Sequence, residues 1–167
     1  MVIGTDPPFD ASPHQSRHLD CRIIYDLCSD PAIVDRMASF YGPDLVLWRS
    51  NIFVKDHGGS ETGWHQDMNY WPIEPLINIS AWLAIDDVDQ ENGCANLIPG
   101  FHRKAIPHIT APLDKGFREI ADPSFVDDSN AVAMPLKAGE FFLFNERTLH
   151  QSNKMSLIDA GWAWLSG

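Results

Sequence analysis

Three residues in this chain have the types and spacing to hold one metal ion. His65 and Asp67 stand two apart in Trp64-His65-Gln66-Asp67. On a strand, alternate side chains share a face, so this spacing predicts an imidazole and a carboxylate projecting side by side. Two ligands grip a metal weakly, and a third must come from elsewhere in the fold. His150 is the best-placed donor, because it follows the apolar run 140–145 and opens the polar stretch His150-Gln151-Ser152-Asn153. His57, His102 and His108 stay open as alternatives for that third position. Two imidazoles and one carboxylate on one side of a metal leave neighbouring positions free for a co-substrate and oxygen, the facial arrangement of non-haem iron(II) oxygenases. A structural zinc site would instead close four positions, usually with thiolates. Cys21, Cys28 and Cys94 lie close in sequence to neither His65 nor His150.

The elements that must position these residues are mostly strands. Runs with β-branched and aromatic content, bounded by turn residues, predict strands at 45–55, 64–70, 77–88, 95–98, 131–134, 140–144, 148–152 and 161–165. Within 77–88, Ile77, Ile79, Ala81, Leu83 and Ile85 alternate with Asn78, Ser80, Trp82 and Ala84, so the two faces differ. One helix stands out after Asp30: Asp as N-cap, Pro31 at the first turn, apolar positions at Ile33, Val34, Met37 and Phe40 or Tyr41, and Gly42 as the stop. Residues 1–29 read as an irregular lead-in, and 101–130 as a loop-rich insertion that would act as a lid. Many short strands with few helices imply a mainly β sandwich or barrel. The 167 residues suit a single domain.

Composition narrows the partners. The formal net charge of -11 comes from 12 basic against 23 acidic residues. Such a surface repels phosphate backbones and anionic membranes, so no nucleic acid and no membrane are expected. The first residues carry acid and proline where a signal peptide needs a basic start and an apolar run. With three cysteines and no CxxC pair, a cytoplasmic location is the expectation. A monomer or homodimer acting on a small-molecule substrate fits this surface.

The wording around the metal motif carries more. His65-Gln66-Asp67-Met68-Asn69-Tyr70-Trp71-Pro72 is followed by Ala81-Trp82-Leu83-Ala84-Ile85-Asp86-Asp87-Val88, then Glu91-Asn92-Gly93-Cys94, then Ile98-Pro99-Gly100-Phe101-His102-Arg103-Lys104. In order and spacing this run, with His150-Gln151-Ser152 after it, closely resembles the phytanoyl-CoA dioxygenase family over residues 45–153. The resemblance implies a double-stranded β-helix (a jelly-roll, cupin-like barrel) with one or two flanking helices. It implies a dioxygenase that uses iron(II), 2-oxoglutarate and O2 to hydroxylate a small organic molecule. Carried onto this chain, His65, Asp67 and His150 would ligate iron. Lys55, Trp82 and Ser152 would line the 2-oxoglutarate pocket, and Gln66 would contact the co-substrate or the fold. Because Asp67 is retained, hydroxylation is implied rather than the halogenation of relatives that lack this carboxylate.

One departure sets up an alternative. The family places an arginine about ten residues beyond the distal histidine, where its planar fork pairs with the 2-oxoglutarate carboxylate. Here Asn153-Lys154-Met155-Ser156-Leu157-Ile158-Asp159-Ala160 holds no arginine, and Asp159 falls near the expected place. Arg49, which shares strand parity with Lys55, and Arg147 are the substitutes within reach. The alternative is a truncated or inactive family member, a barrel that binds a metal or small ligand without turnover. A zinc hydrolase on the same triad ranks below both.

Overall fold

The computed structural model describes residues 15–55, 61–71, 73–113, 115, 117–153 and 161–166, with 54–55 and 161–166 described through their backbone. Two helices come first, α1 (Arg22–Cys28) and α2 (Pro31–Tyr41). The second forms as its sequence directs: the Asp30 side chain accepts from the Ala32 N–H at 2.8 Å, and Gly42 ends the run at φ 87°. The first lies inside the stretch expected to be irregular. Its N-cap, Cys21, makes no side-chain cap bond, and an Arg22–Asp26 pair at 2.7 Å supports it from the outside.

Ten strands follow: β1 (Ser50–Lys55), β2 (Thr62–His65), β3 (Ile79–Ala84), β4 (Ala95–Leu97), β5 (His108–Thr110), β6 (Glu119–Ala121), β7 (Val132–Met134), β8 (Phe141–Asn145), β9 (His150–Ser152) and β10 (Gly161–Ser166). Two four-stranded antiparallel sheets are built from them, in the orders β1-β10-β3-β8 and β2-β9-β4-β7. Strands β1 to β4 alternate between the two sheets, as do β7 to β10, while β4 and β7, on either side of the separate β5–β6 hairpin, pair within the second sheet. Several expected strands come out shorter, and for two of them the local reason is plain. Leu45–Arg49 approach the first sheet as irregular chain, and 66–70 leave the second as a 3-10 turn over Asp67–Asn69.

The period-2 reading of 77–88 is met in β3. Trp82 and Ala84 enter the core between the sheets with Val88, Cys94, Ala95 and Phe144. Leu83 faces out, where Cys28 of α1 packs on it among Ile24, Leu27, Leu47, Ile52 and Phe141. The helices therefore cover the outer face of the first sheet, and even-numbered side chains of β3 line the interior. The expected lid is more ordered than a loop. Residues 101–130 contain the β5–β6 hairpin, packed beside β2. Among the described residues no helix is long and apolar enough to cross a membrane.

Candidate metal centre

Strand register makes the site. His65 ends β2, His150 begins β9, and the two are Cα partners across the antiparallel pair. Their rings stand 4.1 Å apart between centroids. Asp67 is not on the strand as the spacing argument supposed. It begins the 3-10 turn just beyond, yet its Oδ1 lies 3.7 Å from His65 Nε2 and 3.7 Å from His150 Nε2. One ligand atom from each residue falls within 4.8 Å of the other two, and all three side chains are buried.

The protonation pattern suits a metal. A carbonyl can only accept, so the 2.8 Å contact to Gly63 O puts the His65 proton on Nδ1, and the 2.9 Å contact to Thr148 O does the same for His150. Both Nε2 lone pairs are left facing Asp67, with ring orientation fixed from behind as ligating histidines require. Burial pushes the His65 pKa well below its ordinary value, helped by the neighbouring His150 and only partly offset by the Gly63 carbonyl. Asp67 is raised by burial, offset in part by His150 and by Arg49, and its Oδ2 has no hydrogen-bond partner among the described residues. Two imidazoles with Nε2 turned toward one point and an under-satisfied carboxylate are what a divalent cation would complete.

The alternatives for the third donor separate clearly. His108 donates through Nδ1 to Ile106 O at 2.8 Å and accepts the Gln66 N–H at Nε2 at 3.1 Å, which leaves no nitrogen for a metal. His102 is exposed in a 3-10 turn, and His57 lies outside the described residues. His18 is buried, with Nδ1 hydrogen-bonded to Ser50 Oγ at 2.7 Å. The reason is β1: its first residue, Ser50, draws the 3-10 turn at Arg17–Leu19 onto the sheet.

The other expected site residues fall in distinct places. Gln66 is fully buried and its side chain is spent on the fold: Nε2 donates to Lys104 O (2.7 Å) and Arg147 O (2.6 Å), and Oε1 accepts from Ile106 N (2.8 Å). It braces the metal loop against the lid, and both its donors are unavailable to a co-substrate. Trp82 is a core residue stacked on Phe142 at 5.7 Å and 15°. Ser152 Oγ pairs with Thr62 Oγ1 at 2.8 Å across β9 and β2. Lys55 ends β1 opposite Gly161, its side chain outside the description, and so is Asp159. Arg49 precedes β1, six residues before Lys55, or about 20 Å of extended strand away. It acts on Asp67 and hydrogen-bonds Asn51 at 3.3 Å, so parity is shared with Lys55 but location is not.

Sequence reasoning missed two of the walls, Phe117 and Phe144. Phe117 of the lid packs edge-on against His65 at 4.6 Å, Phe144 against His150 at 4.7 Å, and Tyr70 lies 5.8 Å from His65. Tyr70 donates to Glu119 O at 2.6 Å and Asn69 to the Glu119 carboxylate at 2.6 Å, which ties the metal loop to β6. Gly63 allows the lid this close, since a Cβ there would lie 2.5 Å from Ile120 Cγ2. Glu146, also missed, is 1% exposed with neither carboxylate oxygen hydrogen-bonded among the described residues. Its signal was parity, because it continues the inward face of Phe142 and Phe144 beyond the end of β8.

Comparison with known proteins decides the family. The family model described as Phytanoyl-CoA dioxygenase (PhyH) matches residues 4–156. The chain belongs to the phytanoyl-CoA dioxygenase family. A curated member, the peroxisomal phytanoyl-CoA dioxygenase of Bos taurus, is 28% identical over 142 residues, 78% of this chain and 41% of its own length. Among solved structures, the apo form of the non-heme monooxygenase ThoJ superposes with a TM-score of 0.79 at 27% identity, covering 91% of this chain and 56% of that one. EvdO2 from Micromonospora carbonacea var. aurantiaca, complexed with 2-oxoglutarate, gives 0.68 at 26%, covering 87% and 62%. The chain therefore spans less than half of the bovine enzyme and somewhat over half of these two structures.

Proposed function

We propose that this chain carries the iron(II) centre of a 2-oxoglutarate-dependent oxygenase that hydroxylates a small organic molecule. The observation that carries the reading is the triad itself: His65 Nε2, His150 Nε2 and Asp67 Oδ1, converged by strand register in a family whose members are named dioxygenases. His65, Asp67 and His150 would hold the metal. Bound iron(II) would supply the oxidising chemistry, with 2-oxoglutarate as the electron source and O2 as the oxidant. The chain's own part is orientation and exclusion. The Gly63 and Thr148 carbonyls lock the rings, while Phe117, Phe144 and Tyr70 wall them from water. Thr62 and Ser152 set a hydroxyl pair on the strands that carry the histidines, within the part of the barrel where the family resemblance puts 2-oxoglutarate. Lys55, at the end of β1, is the cation expected there.

One observation favours a second reading, a metal-binding barrel without turnover. No arginine occurs in 153–160, and Arg49 stands before β1, six residues from Lys55, with its Nε donating to Asn51 Oδ1 at 3.3 Å. Succinate release separates the two. Protein given iron(II), 2-oxoglutarate and air should convert 2-oxoglutarate to succinate even without a second substrate, and His65→Ala should abolish that. Iron bound at one per chain with no succinate formed would establish the barrel reading.

A further inference from the structure

Asp67 reaches the metal position with little help from its own side chain. Its Oδ2 has no partner among the described residues, so the carboxylate goes where the backbone on either side sends it. After it, the 3-10 turn closes through the Tyr70 N–H to Asp67 O at 2.9 Å, and the Met68 N–H donates to Glu146 O at 3.0 Å. Before it stands Gln66, still extended at φ -117° and ψ 130°, whose backbone joins the two ligands His65 and Asp67. No strand takes the Gln66 N–H, because β2 ends at His65 and lies at the edge of its sheet. An imidazole takes it instead: His108 Nε2 accepts it at 3.1 Å.

His108 is set up for that acceptance. Its Nδ1 lies 2.8 Å from Ile106 O, and a carbonyl can only accept, so the proton sits on Nδ1 and the Nε2 lone pair is free. Burial lowers its pKa, which the Ile106 carbonyl and Glu119 only partly offset, and this favours the neutral ring. The ring stands on an ordered element: His108 begins β5 opposite Ala121 of β6, and Ile120 and Ala121 are buried. The same hairpin region holds both flanks of the metal loop. The Gln66 side chain bonds Lys104 and Ile106 just ahead of β5, while Asn69 and Tyr70 both donate to Glu119 of β6. We infer that His108 is a positioning residue of the metal centre: by holding the Gln66 N–H it fixes the backbone between His65 and Asp67, so that the lid hairpin sets how these two ligands converge. His108 stands outside the group of atoms that converge for a metal and acts only through Gln66. Without its acceptor, the buried N–H must turn toward another partner, and the ligands on both sides move with it. The assignment rests on the triad as a metal site and not on oxygen chemistry.

Two variants separate this role from a merely structural one, since the imidazole makes two bonds and each variant keeps one. In His108→Gln, Oε1 takes the place of Nε2 and can accept the Gln66 N–H. In His108→Asn, the shorter amide can donate to Ile106 O as Nδ1 does, but it does not reach Gln66. Each gives up one hydrogen bond, so the two metal-free variants should melt below wild type and close to one another. Metal affinity should split them. Cobalt(II), whose visible bands report ligand geometry, is titrated without oxygen into the metal-free full chain. His108→Asn should bind it about tenfold more weakly, the lower end of what losing an outer partner of a ligand costs, and with altered bands. His108→Gln should keep the affinity and bands of wild type. Equal affinities in the two variants, or losses that simply follow the melting temperatures, would overturn the assignment. Should either variant not fold, nitrogen-15 NMR of the wild-type imidazole decides. A proton on Nδ1, none on Nε2 and slow exchange of the Gln66 amide are the expected result, and a proton on Nε2 overturns it. Wild-type protein that binds no cobalt would sink the metal-centre reading and the assignment with it. Wild-type binding with indistinguishable variants sinks the assignment alone.

Discussion

Around His65 and His150, each Nδ1 has a backbone carbonyl behind it and the rings are packed by aromatic walls, whereas Asn78, Ser80 and Glu146, a few residues away, have no side-chain partners among the described residues. Both patches are buried, so exposure does not explain the contrast. The first is finished by the protein except for one central ion, as a pre-organised metal site must be. The second is closed off from solvent with its side-chain polar atoms left without side-chain partners, which makes it costly to the fold. Substitutions should therefore behave oppositely in the two patches: losses at the triad remove binding, and losses at the polar patch spare or raise stability.

The largest expected effect is at the triad. His65→Ala or His150→Ala should weaken iron(II) binding by about 100-fold or more, at least as much as losing an outer-shell partner of a ligand costs. Equilibrium dialysis against iron(II) checks it, and wild-type affinity in either variant would break the comparison at its root. The lid contact comes next. Gly63→Ala puts a Cβ 2.5 Å from Ile120 Cγ2, so it should destabilise by about 1–3 kcal/mol through overpacking, read by denaturant midpoints. No change would mean that β6 stands further from β2 in solution.

Two smaller effects sharpen the contrast. His18 lies away from the metal, and burial holds its pKa below the ordinary value. The unfolded state then binds the extra proton first, so stability is lost as pH falls below about 6.5, at up to about 1.4 kcal/mol per pH unit. His18→Gln should flatten that window relative to wild type in pH-dependent unfolding, and parallel curves would contradict the buried placement. The smallest effect pairs two hydroxyls. Thr62→Ala removes the partner of Ser152 and should cost about 1 kcal/mol, while Ser80→Ala removes an unpaired hydroxyl and should be neutral or slightly stabilising. Equal losses in both would erase the distinction between the patches.

Much of this was legible in the residues, and the failures have physical causes. The pairing of His65 with His150 follows from a histidine near each end of facing strands, and alternation in 77–88 gave the two faces of β3 correctly. Asp67 reaches the same point by a different route, because β2 ends at His65 and a 3-10 turn, not pleat parity, swings the carboxylate back. Helix α1 was hidden because it is short and its N-cap makes no side-chain bond. Gln66 read as a contact to the co-substrate or to the fold, and nothing local decides between them, because Lys104, Ile106 and Arg147 converge on it from distant segments. Glu146 carried no signal beyond its even parity with Phe142 and Phe144, which pointed inward past the end of β8.

The most direct test of the central claim is spectroscopic. Metal-free protein is given iron(II) without oxygen, and 2-oxoglutarate is then titrated while the visible spectrum is recorded. A metal-to-ligand charge-transfer band that saturates at one 2-oxoglutarate per iron, and is absent in His65→Ala, is the result the account predicts. Iron bound through His65 with no such band would contradict it and leave a metal-binding barrel of another kind.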